Sequence, residues 1–249
     1  MNPKVSIITV CYNSAETIEV SVKSVLSQKY NNIEYIIIDG YSTDTTKSII
    51  EKYQSKITRF VSEKDAGIYF ALNKGIELAT GDIIGILHAD DLYTSEYVIS
   101  EVVETFAKSK ADAVYANLQY VAKGNINKII RHWVSGPYKE NSFLYGWMPP
   151  HPTFFVRKEI YNKYGVFDTH FTSAADYELM LRFMHKCKIS VAYLNKVIVK
   201  MRMGGKSNKS IFNRIKANTE DRKAWVVNGL KPYFFTLYLK PLRKITQFF

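Results

Sequence analysis

Four short apolar runs, each closed by a knot of polar residues, constrain this chain more than any other feature. Val5–Val10, Glu34–Asp39, Thr58–Ser62 and Asp82–Leu87 are rich in β-branched residues and show little alternation of apolar with polar. Runs of that kind belong to strands buried on both faces. Between them, apolar residues recur at helical spacing: Ile18, Val22, Val25 and Leu26 within Ala15–Gln28, and Val98, Val102, Val103 and Phe106 within Glu96–Ser109. Ile68–Ala79 reads as a further helix, and Asp44 or Thr43 can cap another over Thr45–Tyr53. Strands separated by helices over about a hundred residues predict an α/β domain with a mostly parallel, helix-flanked sheet.

The pattern loosens after Ala113. Val114–Val121 and Ile126–Val134, joined by Lys123-Gly124-Asn125, predict a hairpin. Thr153–Val156 reads as a strand and Asp176–Lys186 as a helix, and two more helices are expected at Ile211–Asn228 and Pro232–Lys244. Charge divides the chain in the same place. Residues 1–195 carry 21 basic and 21 acidic side chains, whereas residues 196–249 carry 13 basic and 2 acidic, and so hold the whole net charge of +11. A neutral body with a basic tail speaks against nucleic-acid binding along the whole chain. Two isolated cysteines, Cys11 and Cys187, exclude a disulfide scaffold and fit a reducing compartment. No run reaches the roughly 18–20 apolar residues of a membrane span, and the first apolar run is too short for a signal peptide. The expected location is cytoplasmic.

Polar residues cluster where the strands end. Tyr12 and Asn13 follow the first, Asp39-Gly40 and Asp44 the second, and His88-Ala89-Asp90-Asp91 the fourth. In open parallel sheets the ligand crevice lies outside the carboxyl ends of the strands, so three such clusters can converge on one crevice. A lone Asp after a strand is most often a helix cap; three clusters together are less easily explained that way. Asp90-Asp91 is the sharpest signal, because adjacent carboxylates repel unless a cation or donors compensate them. Mg²⁺ or Mn²⁺, bound through one or two carboxylates plus substrate phosphates, is the natural partner. Neither GxGxxG after a strand nor GxxxxGK[ST] occurs, which speaks against hydride transfer and P-loop chemistry.

VSIITVCYN, IDGYSTDTT, EKDAGIYFALNKGIELATGDIIGILHADD, HPTFFVRK and AADYELMLR occur in this order. Together they resemble the family 2 glycosyltransferases of the GT-A fold, and bacterial O-antigen, capsule and exopolysaccharide sugar transferases in particular. The resemblance covers roughly residues 3–208 and implies an inverting, metal-dependent transfer from a nucleotide-sugar, with a UDP-sugar favoured. It places Thr9, Tyr12 and Asn13 in the nucleotide pocket, Asp39 on the base, and Ser42 or Asp44 near the nucleotide. It sets Asp65 and Asn73-Lys74-Gly75 beside the donor sugar and ribose, Asp90 and Asp91 on the metal with Asp91 the direct ligand, and Asp176 as catalytic base. Before the resemblance is considered, a helix N-cap is the rival reading of Asp176.

His88 stands where many relatives carry Asp or Asn, and Phe70 where close relatives often have an acidic residue. The Q-x-x-R-W signature of processive synthases is missing, so one sugar is expected per encounter. His88 and His151 are candidate contacts to the diphosphate or acceptor, as are Arg202 and Lys206 in the glycine-containing stretch Met201–Asn208.

The chain thus divides into a transferase domain, 1–208, and a basic, aromatic helical tail, 209–249. Tyr233, Phe234, Phe235, Tyr238, Phe248 and Phe249 interleave there with Lys231, Lys240, Arg243 and Lys244. That mixture suits an anionic bilayer surface, so a peripheral position on the inner face of the bacterial cytoplasmic membrane is expected, facing a polyprenyl-diphosphate-linked glycan acceptor. The alternative is a tail packed on the body or in a homodimer. The competing function is a non-catalytic sugar-nucleotide or membrane-surface binding protein that retains the fold.

Overall fold

The computed structural model describes residues 2–204, 211–243 and 247, with the side chains of 211–217 excepted. Its amino-terminal half is the expected parallel sheet. Strands β1 (Val5–Cys11), β2 (Ile33–Asp39), β3 (Arg59–Ser62) and β4 (Ile83–Ile86) lie in the order β3-β2-β1-β4, all parallel. Every residue of β1 and β4 is buried, which is why these runs lack alternation. Strand periodicity still sorts the side chains by face. Ile8, Val10, Ile36 and Ile38 pack with Tyr69, Leu72 and Ile76 of α3 (Ile68–Leu78). Ile7, Tyr35 and Ile37 pack with Ile18, Val22 and Val25 of α1 (Ile18–Leu26) and with Val98, Val102 and Phe106 of α4 (Val98–Ser109). A short helix, α2 (Thr46–Glu51), follows β2; Asp44 Oδ1 accepts from its first N–H, Thr46 N, at 2.9 Å.

Beyond β4 the sheet becomes mixed. Antiparallel β8 (Phe155–Arg157) joins β4 to β6 (Ala113–Ala122), and β9 (Val191–Arg202) runs parallel to β6 and antiparallel to β5 (Asp91–Tyr93). The hairpin is present, with β7 (Asn125–Trp133) paired to β6. Sequence patterning does not announce β5, β9 or helix α5 (Lys158–Tyr164). In β9 the cause is visible: the register to β6 jumps between Leu194 and Val197, so that Asn195 and Lys196 bulge out and break the period of two. Thr153 lies in a 3₁₀ turn rather than a strand, its hydroxyl 3.1 Å from Ala116 O. The helix expected over 176–186 is α-helical only as α6 (Ala175–Met180), and continues to Lys186 as a wider π-helical stretch.

The tail contributes α7 (Ile211–Val227) and α8 (Thr236–Leu242). Ala224 and Trp225 are completely buried in the main core, and Trp225 Nε1 donates to Tyr177 Oη at 2.9 Å. Thr236 Oγ1 donates to Leu144 O at 2.6 Å, and a Cβ on Gly146 would meet Lys240 N at 2.5 Å, so α8 rests directly on the 142–146 turn. Both helices therefore pack on the body. Among the described residues, no helix is long and apolar enough to cross a membrane.

The point where the parallel half meets β8 has no spare volume. A Cβ at Gly85 would overlap the Phe155 ring, and overpacking of a core costs about 1–3 kcal/mol. Gly85→Ala should lower the unfolding free energy by that amount, read as a lower urea midpoint with the m-value unchanged, and a wild-type midpoint would show that the crossing is looser than described.

Candidate active site

The crevice at the carboxyl ends of β1, β2 and β4 is built on a rim of polar residues that satisfy one another. Asn13, in the left-handed region at φ 49°, accepts at Oδ1 from Thr43 N at 2.9 Å, and its own N–H donates to Ser42 Oγ at 2.9 Å. Asp39 is completely buried and accepts from Ser42 Oγ (2.5 Å), Ser42 N (3.0 Å) and Ser62 Oγ (2.7 Å). Asp44 Oδ2 accepts from Ala15 N at 3.2 Å, tying the β2 loop to the start of α1. Above this rim stand two half-exposed rings, Tyr12 and Tyr41, the kind of apolar face on which a base can stack. Tyr41 was not singled out from the sequence, although its φ of 64° marks the same tight loop. Thr9 does not reach the crevice: it is buried beneath, with its hydroxyl 3.1 Å from Tyr35 Oη.

On one flank, Lys74 pairs with Asp65 at 2.6 Å and with Glu63 at 2.5 Å. Asp65 Oδ2 has no hydrogen-bond partner. Asn73 is engaged structurally: its amide donates to Phe167 O at 2.8 Å and its carbonyl accepts from Phe167 N at 2.9 Å, which locks α3 to the 165–171 loop.

The remaining candidates converge at the end of β4. Asp91 begins β5 and is completely buried, yet neither carboxylate oxygen has a hydrogen-bond partner. Burial, with Asp90 adding, raises its pKa well above the ordinary carboxylate value; Arg202 pulls the other way without offsetting this. Arg202, at the end of β9, donates to Asp90 O at 2.6 Å and is brought there because Met201 pairs with Asp91 across the β5–β9 ladder. The His88 and His151 rings meet edge to face at 5.5 Å. Burial, reinforced by the neighbouring His151, pushes His88 down to about 4, so it is neutral at pH 7. His151 Nδ1 lies 3.1 Å from Asp176 Oδ2. Asp176 is the second residue of α6 and no N-cap; Ala174 holds that position.

Two residues of this cluster escaped sequence analysis. Arg131 of β7 is stacked 3.9 Å from the Tyr120 ring centroid, and Tyr120 feels the charges of both Asp91 and Asp176. Hairpin pairing carries them there, and no local motif marks them. Lys206 lies outside the described residues.

A buried carboxylate whose two oxygens have no hydrogen-bond partner fits a group able to hold a cation. No group of three or more His, Cys, Asp or Glu side chains suited to a metal occurs among the described residues. That combination matches Mg²⁺ or Mn²⁺, which bind through one or two carboxylates and complete their shell from substrate phosphates, better than Zn²⁺, which takes three or four protein ligands. The orphaned charge has a measurable cost. Because the folded pKa is raised, Asp91 penalises the fold as pH climbs above about 4, where the unfolded carboxyl ionises. Asp91→Asn should therefore stabilise the protein in EDTA at pH 7 by about 1–2 kcal/mol, roughly 2–8 °C in Tm, and the gain should shrink toward pH 4. An unchanged Tm would mean that Asp91 is already compensated.

Residues 6–173 match the family described as Glycosyl transferase family 2. An uncharacterized glycosyltransferase of Mycobacterium tuberculosis is 31% identical over 188 residues, covering 75% of this chain and 71% of the relative. TuaG of Bacillus subtilis, assigned by name to teichuronic acid biosynthesis, is 37% identical over 97 residues, 38% of each chain. Among solved structures, residues 1–349 of Staphylococcus aureus TarS in complex with UDP-GlcNAc superpose with a TM-score of 0.69 at 17% identity, covering 95% of this chain and 69% of that one. The parallel half-sheet, the mixed extension and the crevice at the strand ends are thus the GT-A architecture, and the chain belongs to glycosyl transferase family 2, the glycosyltransferases.

Proposed function

We propose that the protein is an inverting, metal-dependent, non-processive glycosyltransferase that moves a sugar from a nucleotide-sugar, UDP-linked, to a lipid-linked glycan acceptor in bacterial surface polysaccharide synthesis. One observation carries this reading: His88 links the partnerless carboxylate of Asp91, whose N–H donates to His88 O at 3.0 Å, to His151, whose ring meets its own and whose Nδ1 lies 3.1 Å from Asp176 Oδ2. Tyr12 and Tyr41 offer the base a stacking face, and the Asn13–Ser42–Asp39 rim offers it fixed polar groups. Asp90 and Asp91 would hold Mn²⁺ or Mg²⁺, which supplies positive charge to the departing diphosphate.

Asp176 takes the proton from the acceptor hydroxyl as its oxygen attacks the anomeric carbon. The new C–O bond forms as the bond to the β-phosphate oxygen breaks, so the configuration inverts in one displacement. His151 Nδ1 stands 3.1 Å from one oxygen of Asp176, which leaves the other for the acceptor. Arg202, nine-tenths buried and anchored on Asp90 O, adds fixed positive charge beside the diphosphate.

The tail suits a bilayer surface. Tyr238 (63% exposed) and Leu242 are exposed four residues apart on α8, and Phe234, 83% exposed, lies in the turn that leads into it; Lys231 and Arg243 are exposed nearby. Flotation with phosphatidylglycerol liposomes should retain wild type and lose Phe234→Ser/Tyr238→Ser/Leu242→Ser; equal retention would remove the membrane from this reading. For the donor site, calorimetry with UDP, GDP and dTDP should show one nucleotide binding only with Mn²⁺ and only in wild type, not in Asp91→Ala. Failure of all three to bind would instead favour a non-catalytic protein that has kept the fold.

A further inference from the structure

The helix that carries Asp176 begins without a cap of its own. Its N-cap residue is Ala174, which has no side-chain acceptor, and the preceding Thr172 and Ser173 turn their hydroxyls elsewhere. Uncapped N–H groups at a helix start need partners. Here they come from far along the chain. Glu220 of α7 accepts from Ala174 N at 3.0 Å and Ser173 N at 2.8 Å, and from Thr172 N at 3.2 Å. It also accepts from Thr172 Oγ1 at 2.5 Å and Ser173 Oγ at 2.9 Å. Burial raises its pKa, but these donors outweigh burial and the net shift is downward, so the group stays ionised at neutral pH. The next two N–H groups, of Ala175 and Asp176, face the hydroxyl of Tyr69 on α3. One carboxylate therefore fixes all three residues that lead into the Asp176 helix.

Trp225 of α7, Asn228 just beyond it and Lys240 of α8 tie the two helices together around that carboxylate. Trp225 donates to Tyr177 Oη at 2.9 Å, and Asn228 Nδ2 donates to Glu178 Oε1 at 2.9 Å. Lys240 of α8 pairs with Asp221, next to Glu220, at 2.6 Å and lies 3.7 Å from the Tyr177 ring centroid. Residues 172–174 are thus gripped by Glu220 and Tyr177 by Trp225, both of α7, while Asn228 just beyond α7 holds Glu178. The body supplies Asp176, and the segment after Arg202 supplies the clamp that aims it.

We propose that Glu220 is a positioning residue for Asp176: it fixes the 172–174 turn and with it the geometry of the His151–Asp176 pair. The proposal rests on the reading of Asp176 as general base only for its kinetic consequence, and its structural consequence stands alone. A misplacement on the order of 1 Å of a reacting group can cost about a hundredfold in rate, so the turn that sets the entry of α6 is a sensitive place.

The test compares Glu220→Ala and Glu220→Gln with wild type and with Asp176→Asn. Hydrogen exchange reads the amides of residues 172–176, and nitrogen-15 NMR of the histidines reads His151 Nδ1, which lies 3.1 Å from Asp176 Oδ2, assigned with His151→Gln. Kinetics use the sugar nucleotide of the base selected by calorimetry, with water as acceptor. Glu220→Ala should speed exchange at 172–176 at least tenfold and displace or broaden the His151 signal. It should lower kcat about 10–100-fold with the donor KM within twofold. Glu220→Gln, which keeps one acceptor oxygen, should recover much of each. An unmoved His151 signal and an unchanged kcat despite faster exchange would overturn the proposal, leaving Glu220 as a stabiliser of the turn alone. If Asp176→Asn turns over like wild type while Glu220→Ala still displaces the His151 signal, the base assignment fails and the positioning role stands.

Discussion

A sheet covered by helices on both faces leaves polar side chains nowhere to go except the strand ends, and the rest of this protein follows from that constraint. The parallel strands β1 and β4 are buried along their whole length. Their carboxyl ends all open on one side because parallel strands run the same way. Tyr12, Asn13, Asp39, His88, Asp90 and Asp91 are therefore neighbours although they are spread over eighty residues. Burial also sets their chemistry. The same low-dielectric surroundings that stabilise Ile36 and Ile38 raise the pKa of Asp91 and depress that of His88.

Within the crevice, polar groups fall into two kinds. Asp39, Asn13, Asp44 and Asn73 spend their hydrogen-bonding capacity on the protein itself, and so form a stiff rim. Asp91 has no hydrogen bond of ordinary geometry, and one oxygen of Asp176 lies 3.1 Å from His151 Nδ1. A rigid surround with a few unspent charges is the arrangement that preorganised electrostatic catalysis requires. Carboxylate oxygens buried without hydrogen-bond partners suit a site kept for ligand binding rather than for the fold.

Legibility in the sequence followed the local signal. The first four strands and their helices were readable because each is a contiguous run with its own period, and the family resemblance rested on residues within those runs and the loops they end in. The second half was not. β9 hides its period behind the bulge at Asn195 and Lys196, and β5 is three residues long and opens on Asp91, the second of the paired carboxylates, instead of showing a strand pattern. Sequence reading placed Thr9 in the pocket, but its side chain faces Tyr35 on the covered side of β1. Arg131 and Tyr120 carry no motif, and they reach the site only because the hairpin folds back.

The sequence by itself determined which residues could do chemistry: paired carboxylates after an apolar strand, a histidine beside prolines, and an aspartate opening a helix. These are properties of short stretches, where neighbouring residues fix both conformation and charge. Tertiary structure decided how they are used. Only packing put Arg202 on Asp90 and His151 on Asp176, and only packing brought Glu220 from the basic tail onto the turn before α6. Contacts between residues 25 to 112 positions apart leave no periodic trace in a sequence, because each partner is chosen by where the sheet carries it.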